Sequence, residues 1–283
     1  MLKKALLLLL FFPQFLFAQV DSIEIKSQLM NKALQAAVTV PGSYFSGENH
    51  YPVLYLLHGG SGSFSDWHKK VTEPGLVPRL ADKYQIIIVT PGVAPSSYYY
   101  DSPLQDSVQY ESYIVKELIP FVDENYRTIA KKESRAITGL SMGGHGAMML
   151  AAKHPELFIA VGTMSGVMNI DTRLWEVPDE FRNLRRSGQK QMLGEDLNYE
   201  APEFNPYTIV GLVDQIQENG HAIIIDCGVD DFLIKTNRQL RQLLLDRKIP
   251  HEYIERPGAH TWKYWTEALP VHLLFFDRYL QRN

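Results

Sequence analysis

Cysteine occurs once in the 283 residues, at Cys227, so the chain can form no intramolecular disulfide and offers no thiolate cluster for zinc. An excess of positive charge is also missing. With 28 Lys and Arg against 32 Asp and Glu the formal net charge is −4, which leaves no basic footprint for nucleic acid. There is no internal repeat, no low-complexity tract and no obvious linker. Long apolar runs are absent apart from one at the start, and that run is interrupted by Pro13 and Gln14, short of the ~20 residues of a membrane span. Stability must therefore come from a hydrophobic core, and 45% hydrophobic residues suffice for one large α/β domain.

Met1 to Ala18 has the layout of a secretory signal peptide. Lys3 and Lys4 precede an apolar run from Ala5 through Phe17, and Ala18 stands at the expected cut before Gln19. Cleavage there leaves residues 19–283 as a single domain of formal charge −6, secreted or periplasmic, with no stable membrane anchor. Cys227, at the end of an Ile-rich run, reads as a small buried hydrophobe rather than a nucleophile.

Taken in order, Ser22 to Gln28 and Gln35 to Val40 read as an antiparallel hairpin. Pro52 to Leu57 and Gln85 to Val89 are continuous apolar runs, as in strands buried on both faces of a parallel sheet. A helix is expected around Leu76 to Lys83, and an amphipathic one over Ser107 to Tyr126. Strands at Phe158 to Met164, Ala222 to Asp226 and His251 to Glu255 alternate with helices near Pro206 to Asn219, Leu233 to Arg247 and Trp262 to Leu280. This alternation predicts a mostly parallel sheet with helices on both faces and a ligand site beyond the carboxyl ends of the strands. The pattern breaks from Ser165 to Asn205, which reads as short helices and loops inserted over the sheet as a lid or substrate-shaping segment.

The chain is organised around Ser134 to Pro155. A β-prone run ends at Gly139-Leu140-Ser141-Met142-Gly143, and a small-residue helical pattern follows. A serine between two such elements sits on a sharp turn, and glycines two residues either side let strand and helix approach: the nucleophile elbow of a serine hydrolase. A serine hydroxyl needs a base, and the base an acid, in the chain order Ser, Asp or Glu, His. Of nine histidines, His50 precedes the sheet, His154 and His272 lie in or at the end of helices, and His145 points along the elbow helix. His260, in a tight loop after the last strand, is the expected base. The acid should follow the preceding strand. Asp226 is still within it, while Asp230 and Asp231 lie in the loop, and spacing alone does not choose between them; one is expected to cap the following helix. Oxyanion donors are expected from the backbone N–H of Met142 and, in the loop His58-Gly59-Gly60-Ser61-Gly62, of Gly60. His58 reads as a residue that satisfies loop carbonyls. No metal or cofactor is called for.

Four segments in this order, Leu56 to Gly60, Gly139 to Ala147, Cys227 to Leu233 and Pro257 to Trp262, resemble the esterase D family. That family includes feruloyl and acetylxylan esterases of carbohydrate esterase family 1, tributyrin esterases, S-formylglutathione hydrolases and mycolyltransferases. The resemblance covers nearly all of the chain after the signal and implies the α/β-hydrolase fold, with Asp231, the aspartate before Phe-Leu, as the acid. An exported chain argues against formylglutathione chemistry, and an aspartate where the mycolyltransferases use glutamate leans towards hydrolysis. The expected substrate is a small-molecule or oligosaccharide ester, carrying for example an acetyl or feruloyl group. Trp67, Tyr99, Asp101, Trp175 and Trp262 are candidate contacts, because sugars stack on aromatic faces. An acyltransferase acting on a sugar hydroxyl and a non-catalytic carbohydrate-binding module are the alternatives, and nothing in the sequence fixes an oligomeric state.

Overall fold

The structure, a computed structural model, describes residues 17–282, so nearly all of the expected signal peptide lies outside the described residues. Eight strands form one sheet: β1 (Gln19–Ser27), β2 (Lys32–Val40), β3 (Val53–Leu57), β4 (Ile87–Pro91), β5 (Arg135–Gly139), β6 (Ala160–Met164), β7 (Ala222–Gly228) and β8 (Glu252–Arg256). Their spatial order is β1-β2-β4-β3-β5-β6-β7-β8. The β1–β2 and β2–β4 pairs are antiparallel and every other pair is parallel. This is the α/β-hydrolase fold.

The apolar runs are continuous because both faces of the sheet are covered. Side chains alternate across a strand, so Val53, Tyr55 and Leu57 of β3 join one core cluster while Leu54 and Leu56 join the other. The first cluster contains the Met142–Lys153 helix and residues of the Tyr110–Asn125 helical segment, and the second contains the Leu76–Tyr84 and Trp262–Asp277 helices. Cys227, buried in β7, has its thiol pKa pushed up by that burial. No helix among the described residues is long and apolar enough to cross a membrane.

The opening hairpin is longer than the sequence reading, with β1 from Gln19 and β2 from Lys32, and three further differences have a local cause. The Pro206 to Asn219 helix begins only at Val213, since Pro202–Tyr207 and Ile209–Leu212 are 3-10 turns with Pro206 inside the first. The Gln85 to Val89 strand starts at Ile87, because Gln85 closes the preceding helix in a left-handed conformation (φ 47°). Within Ser165 to Asn205, Asp179–Leu193 is one 15-residue helix rather than several short ones. Its apolar face is thin, and a buried polar residue does much of the anchoring: Gln189 donates to the Ile170 carbonyl and accepts from the Tyr199 hydroxyl.

Candidate active site

Ser141 lies between β5 and the Met142–Lys153 helix at φ 55°, ψ −118°. A non-glycine residue held there costs ~1–3 kcal/mol, so the surroundings must hold it. Its N–H donates to the Met164 carbonyl at 2.9 Å, and its carbonyl accepts from the N–H groups of His145 at 3.1 Å and Val167 at 3.3 Å. The helix leaves the turn close against β3. A Cβ on Gly143 would fall 2.6 Å from the carbonyl oxygens of Leu57 and His58, and one on Gly139 would fall 2.6 Å from the Gly143 carbonyl group. Both positions therefore exclude a side chain.

His260 reaches Ser141 from the loop after β8. Its Nε2 is 2.9 Å from Ser141 Oγ, and its Nδ1 is 2.8 Å from Asp231 Oδ2 and 3.0 Å from Oδ1. The imidazole is wedged between rings, with Phe232 centred 4.4 Å away and Trp265 edge-on at 4.8 Å. The β7 and β8 loops meet because both are thin at the crossing. A Cβ on Gly228 would overlap the Gly258 carbonyl oxygen at 2.2 Å, and the Asp230 N–H donates to that oxygen. Asp231 is 1% exposed and Asp230 is exposed. The expected division of labour, one aspartate for the histidine and the other for a helix cap, is not what forms. No side chain caps the Ile234–Asp246 helix; Asp231 serves the histidine and also braces the turn before that helix, its Oδ1 accepting from the Leu233 N–H at 2.9 Å and its carbonyl from the Ile234 N–H. Asp226 faces the other way, bound by Arg256 at 2.7 Å and by the Tyr264 hydroxyl.

Gly60 and Met142, the two residues expected to supply backbone donors, line the same cavity as Ser141. The Met142 N–H belongs to the first helical turn, where no intrahelical acceptor exists. The Gly60 N–H is aimed by its own peptide plane, since the C=O and N–H of one peptide point in opposite directions. The Gly59 carbonyl is held by the Gly62 N–H at 3.0 Å and by His58 Nδ1 at 2.8 Å, which turns the Gly60 N–H away from that pair. His58 Nε2 accepts from the Val93 N–H at 3.1 Å, so Nδ1 carries the proton, and burial lowers the imidazole pKa and keeps it neutral. The loop-satisfying role read for His58 thus extends to orienting Gly60, which the sequence reading did not see.

The site opens into a cavity of about 310 Å³ bounded by Gly60, Tyr98, Met142, Val167 and Phe232, with the Asp179–Leu193 helix contributing Phe181 and Arg185. Of the expected substrate contacts, Trp175 and Trp262 line it. The other three, Trp67, Tyr99 and Asp101, do not. Trp67 is fully buried in the core, with its indole N–H on the Leu57 carbonyl and its ring against Trp262. Tyr99 is fully buried beside Gly146, with its hydroxyl on the His58 carbonyl. Asp101 is engaged by the N–H and hydroxyl of Ser112, at 3.0 and 2.6 Å, at the start of the Tyr110–Tyr113 helix. The loop is nonetheless part of the site's frame: Ser96, Tyr98 and Tyr99 all have positive φ, and Tyr98 lines the cavity. Among the described residues, no group of three or more His, Cys, Asp or Glu could hold a metal.

A serine on a strained turn, a histidine within hydrogen-bond reach and a buried carboxylate behind it, on this sheet, define the class: a serine hydrolase of the α/β-hydrolase fold. Residues 27–276 match the family described as "Putative esterase", and the chain belongs to that family. It is a serine carboxylic ester hydrolase. An acetyl esterase of Caldicellulosiruptor saccharolyticus is 27% identical over 220 residues, 76% of this chain and 79% of that protein. Esterase Rv1288 of Mycobacterium tuberculosis (strain ATCC 25618 / H37Rv) is 30% identical over 244 residues, 80% of this chain and 52% of its own length, so the chain spans about half of that relative. A solved ferulic acid esterase superposes with a TM-score of 0.75 at 28% identity, covering 94% of this chain and 100% of that one.

Proposed function

We propose that the protein hydrolyses acetyl or feruloyl-type esters of carbohydrates outside the cytoplasm, through an acyl-enzyme on Ser141. His260 Nε2 takes the hydroxyl proton as Oγ attacks the ester carbonyl carbon, and Asp231 holds Nδ1–H and stabilises the imidazolium. The carbonyl oxygen becomes an oxyanion facing the N–H groups of Gly60 and Met142, each worth ~3–4 kcal/mol by analogy with other hydrolases. Collapse of the intermediate breaks the ester C–O bond, and His260 returns its proton to the departing alcohol. Water then enters by the same route, giving up a proton to His260 as it attacks the acyl-enzyme, and the acid leaves as Ser141 recovers its proton.

The observation that carries the substrate class is the lining of the cavity. The half-buried rings of Trp262 and Phe232 present aromatic surface in the cavity that holds Ser141, the largely buried Trp175 and Tyr98 add ring edges to it, and polar groups from Asp66, Lys70, Ser96 and Arg185 share the wall. Flat amphipathic rings with interspersed polar groups suit sugars and phenolic acids, whereas a lipid chain calls for a long aliphatic slot. The similarity to a ferulic acid esterase and to an acetyl esterase supports the same reading. The test compares kcat/KM for acetylated xylo-oligosaccharides, methyl ferulate and tributyrin, a ratio that reports differential transition-state binding. One of the first two should be preferred by at least about tenfold. A clear preference for tributyrin over both would remove the carbohydrate assignment and leave the ester hydrolysis untouched.

A further inference from the structure

The wall of the cavity carries a cation that no acid of the site answers. Arg185 stands one turn after Phe181 on the Asp179–Leu193 helix, half-buried, with its guanidinium centred 4.7 Å over the Phe181 ring. Its Nη1 donates to Ser96 Oγ at 2.7 Å, and no carboxylate among the described residues forms an ion pair with it. The other cation of the lining, Lys70, is neutralised by Asp66 at 2.7 Å. On the same helix, Arg182 pairs with Asp179 and Lys190 with Glu195. An arginine has five N–H donors in a planar fork, and one bond to a neutral hydroxyl leaves a bidentate edge unspent.

The placement of this guanidinium matters as much as its charge. A Cβ on Gly60 would lie 3.4 Å from Arg185 Nη1, so the guanidinium sits beside Gly60, one of the two residues whose N–H groups are proposed to face the scissile carbonyl. Ser96 fixes both partners: it sits in the left-handed region at φ 59°, its N–H donates to the Gly60 carbonyl at 2.8 Å, and its hydroxyl receives Arg185. A half-buried guanidinium beside Gly60, bonded to one neutral hydroxyl and paired with no carboxylate among the described residues, keeps donors free for a planar anion.

We infer that Arg185, steadied by Ser96, is a specificity-determining residue that takes a carboxylate carried by the substrate close to the scissile ester. This rests on the ester-hydrolysing site and not on the carbohydrate reading. The carboxylate can belong to the acyl part, as in a half-ester of a dicarboxylic acid, or to the alcohol part, as in an esterified uronic acid.

Two matched pairs separate these sources: the mono-4-nitrophenyl ester of glutaric acid against 4-nitrophenyl valerate, and O-acetylglucuronic acid against O-acetylglucose. In at least one pair the wild-type enzyme should favour the anionic member in kcat/KM by about 10- to 100-fold, the range for a hydrogen bond to a charged group. Arg185→Gln should collapse that ratio towards one, chiefly through KM, Arg185→Lys should restore part of it, and added salt should erode it in the wild type. No preference for the anion in either pair overturns the inference. So does an equal loss on both members of a pair in Arg185→Gln, which would instead make Arg185 a general stabiliser of the oxyanion. Neither outcome bears on the tributyrin comparison, so the two readings fail separately.

Discussion

Replacing Asp231 by asparagine changes one atom, and the surrounding hydrogen bonds dictate how the new amide must lie. Asp231 Oδ1 accepts from the Leu233 N–H at 2.9 Å, so the amide oxygen has to occupy that side. The NH2 group is then left in the place of Oδ2, 2.8 Å from His260 Nδ1. A donor there stabilises the tautomer with its proton on Nε2, and that nitrogen, 2.9 Å from Ser141 Oγ, loses the lone pair that would receive the hydroxyl proton. The opposite rotamer sets the amide NH2 against the Leu233 N–H in a site that is 1% exposed, where no water relieves the clash of donors. That clash leaves the first rotamer as the stable one, and in it the base is lost while binding is not. The equivalent change in a well-studied serine protease lowers kcat ~10⁴-fold, which at 1.36 kcal/mol per decade is ~5.4 kcal/mol of transition-state stabilisation. Asp231→Asn should therefore lose about 10³- to 10⁴-fold in kcat on 4-nitrophenyl acetate, with KM within a few-fold and thermal stability nearly kept. Asp230→Asn, at an exposed position held through its backbone, should stay within about threefold of wild type. Equal losses in the two variants, or a loss of less than tenfold in Asp231→Asn, would refute the assignment.

Much of the fold was legible because the apolar runs at Pro52 to Leu57 and Gln85 to Val89 have only one comfortable environment, a sheet covered on both faces. The elbow was legible for a related reason. Gly139 and Gly143 stand where a Cβ would strike backbone, and such a requirement leaves its mark in the sequence itself. What failed was inference from residue type without burial. Trp67, Tyr99 and Asp101 lie in stretches that look like binding loops, yet the two rings fill the core and the carboxylate serves a helix start. Loop aromatics near a site are as useful for propping it as for touching substrate, and sequence spacing does not distinguish these uses. The Asp179–Leu193 helix was blurred because one of its buried anchors is Gln189, which breaks an apolar period. Asp230 and Asp231 could not be separated by spacing, since the difference between them is the 29-residue bridge to His260, made where Gly228 and Gly258 let two loops touch.

Two further perturbations test the packing. Gly143→Ala puts a methyl group against two backbone carbonyls and should destabilise by ~1–3 kcal/mol while moving Ser141 and lowering kcat. Gly188→Ala, with nothing within 4 Å in mid-helix, should instead stabilise by ~0.5–1 kcal/mol, and thermal melts that moved the same way in both would contradict the geometry. The last expectation concerns acid. Burial holds His145 and His221 down to about 4 and His272 to about 3, so all three fold as neutral imidazoles. His145 Nε2 is 3.0 Å from the Tyr207 carbonyl, and His272 Nδ1 is 3.0 Å from the Thr138 hydroxyl. An unfolded histidine takes up its proton near pH 6.5 and the folded ones do so only well below, so between these values the unfolded state binds more protons and stability falls as the pH falls. Each site can contribute up to ~1.4 kcal/mol per pH unit, and the contribution is intact above pH 6.5 and lost progressively towards about 4. Urea unfolding from pH 7 to 4 should show that slope, and His272→Gln should reduce it by about one proton whatever it does to stability at pH 7. The slope rather than the midpoint carries the argument, because removing a buried side chain alters packing at every pH whereas only a titrating group alters the pH dependence. An unchanged slope in His272→Gln would mean that His272 is protonated in the folded protein, in conflict with its burial.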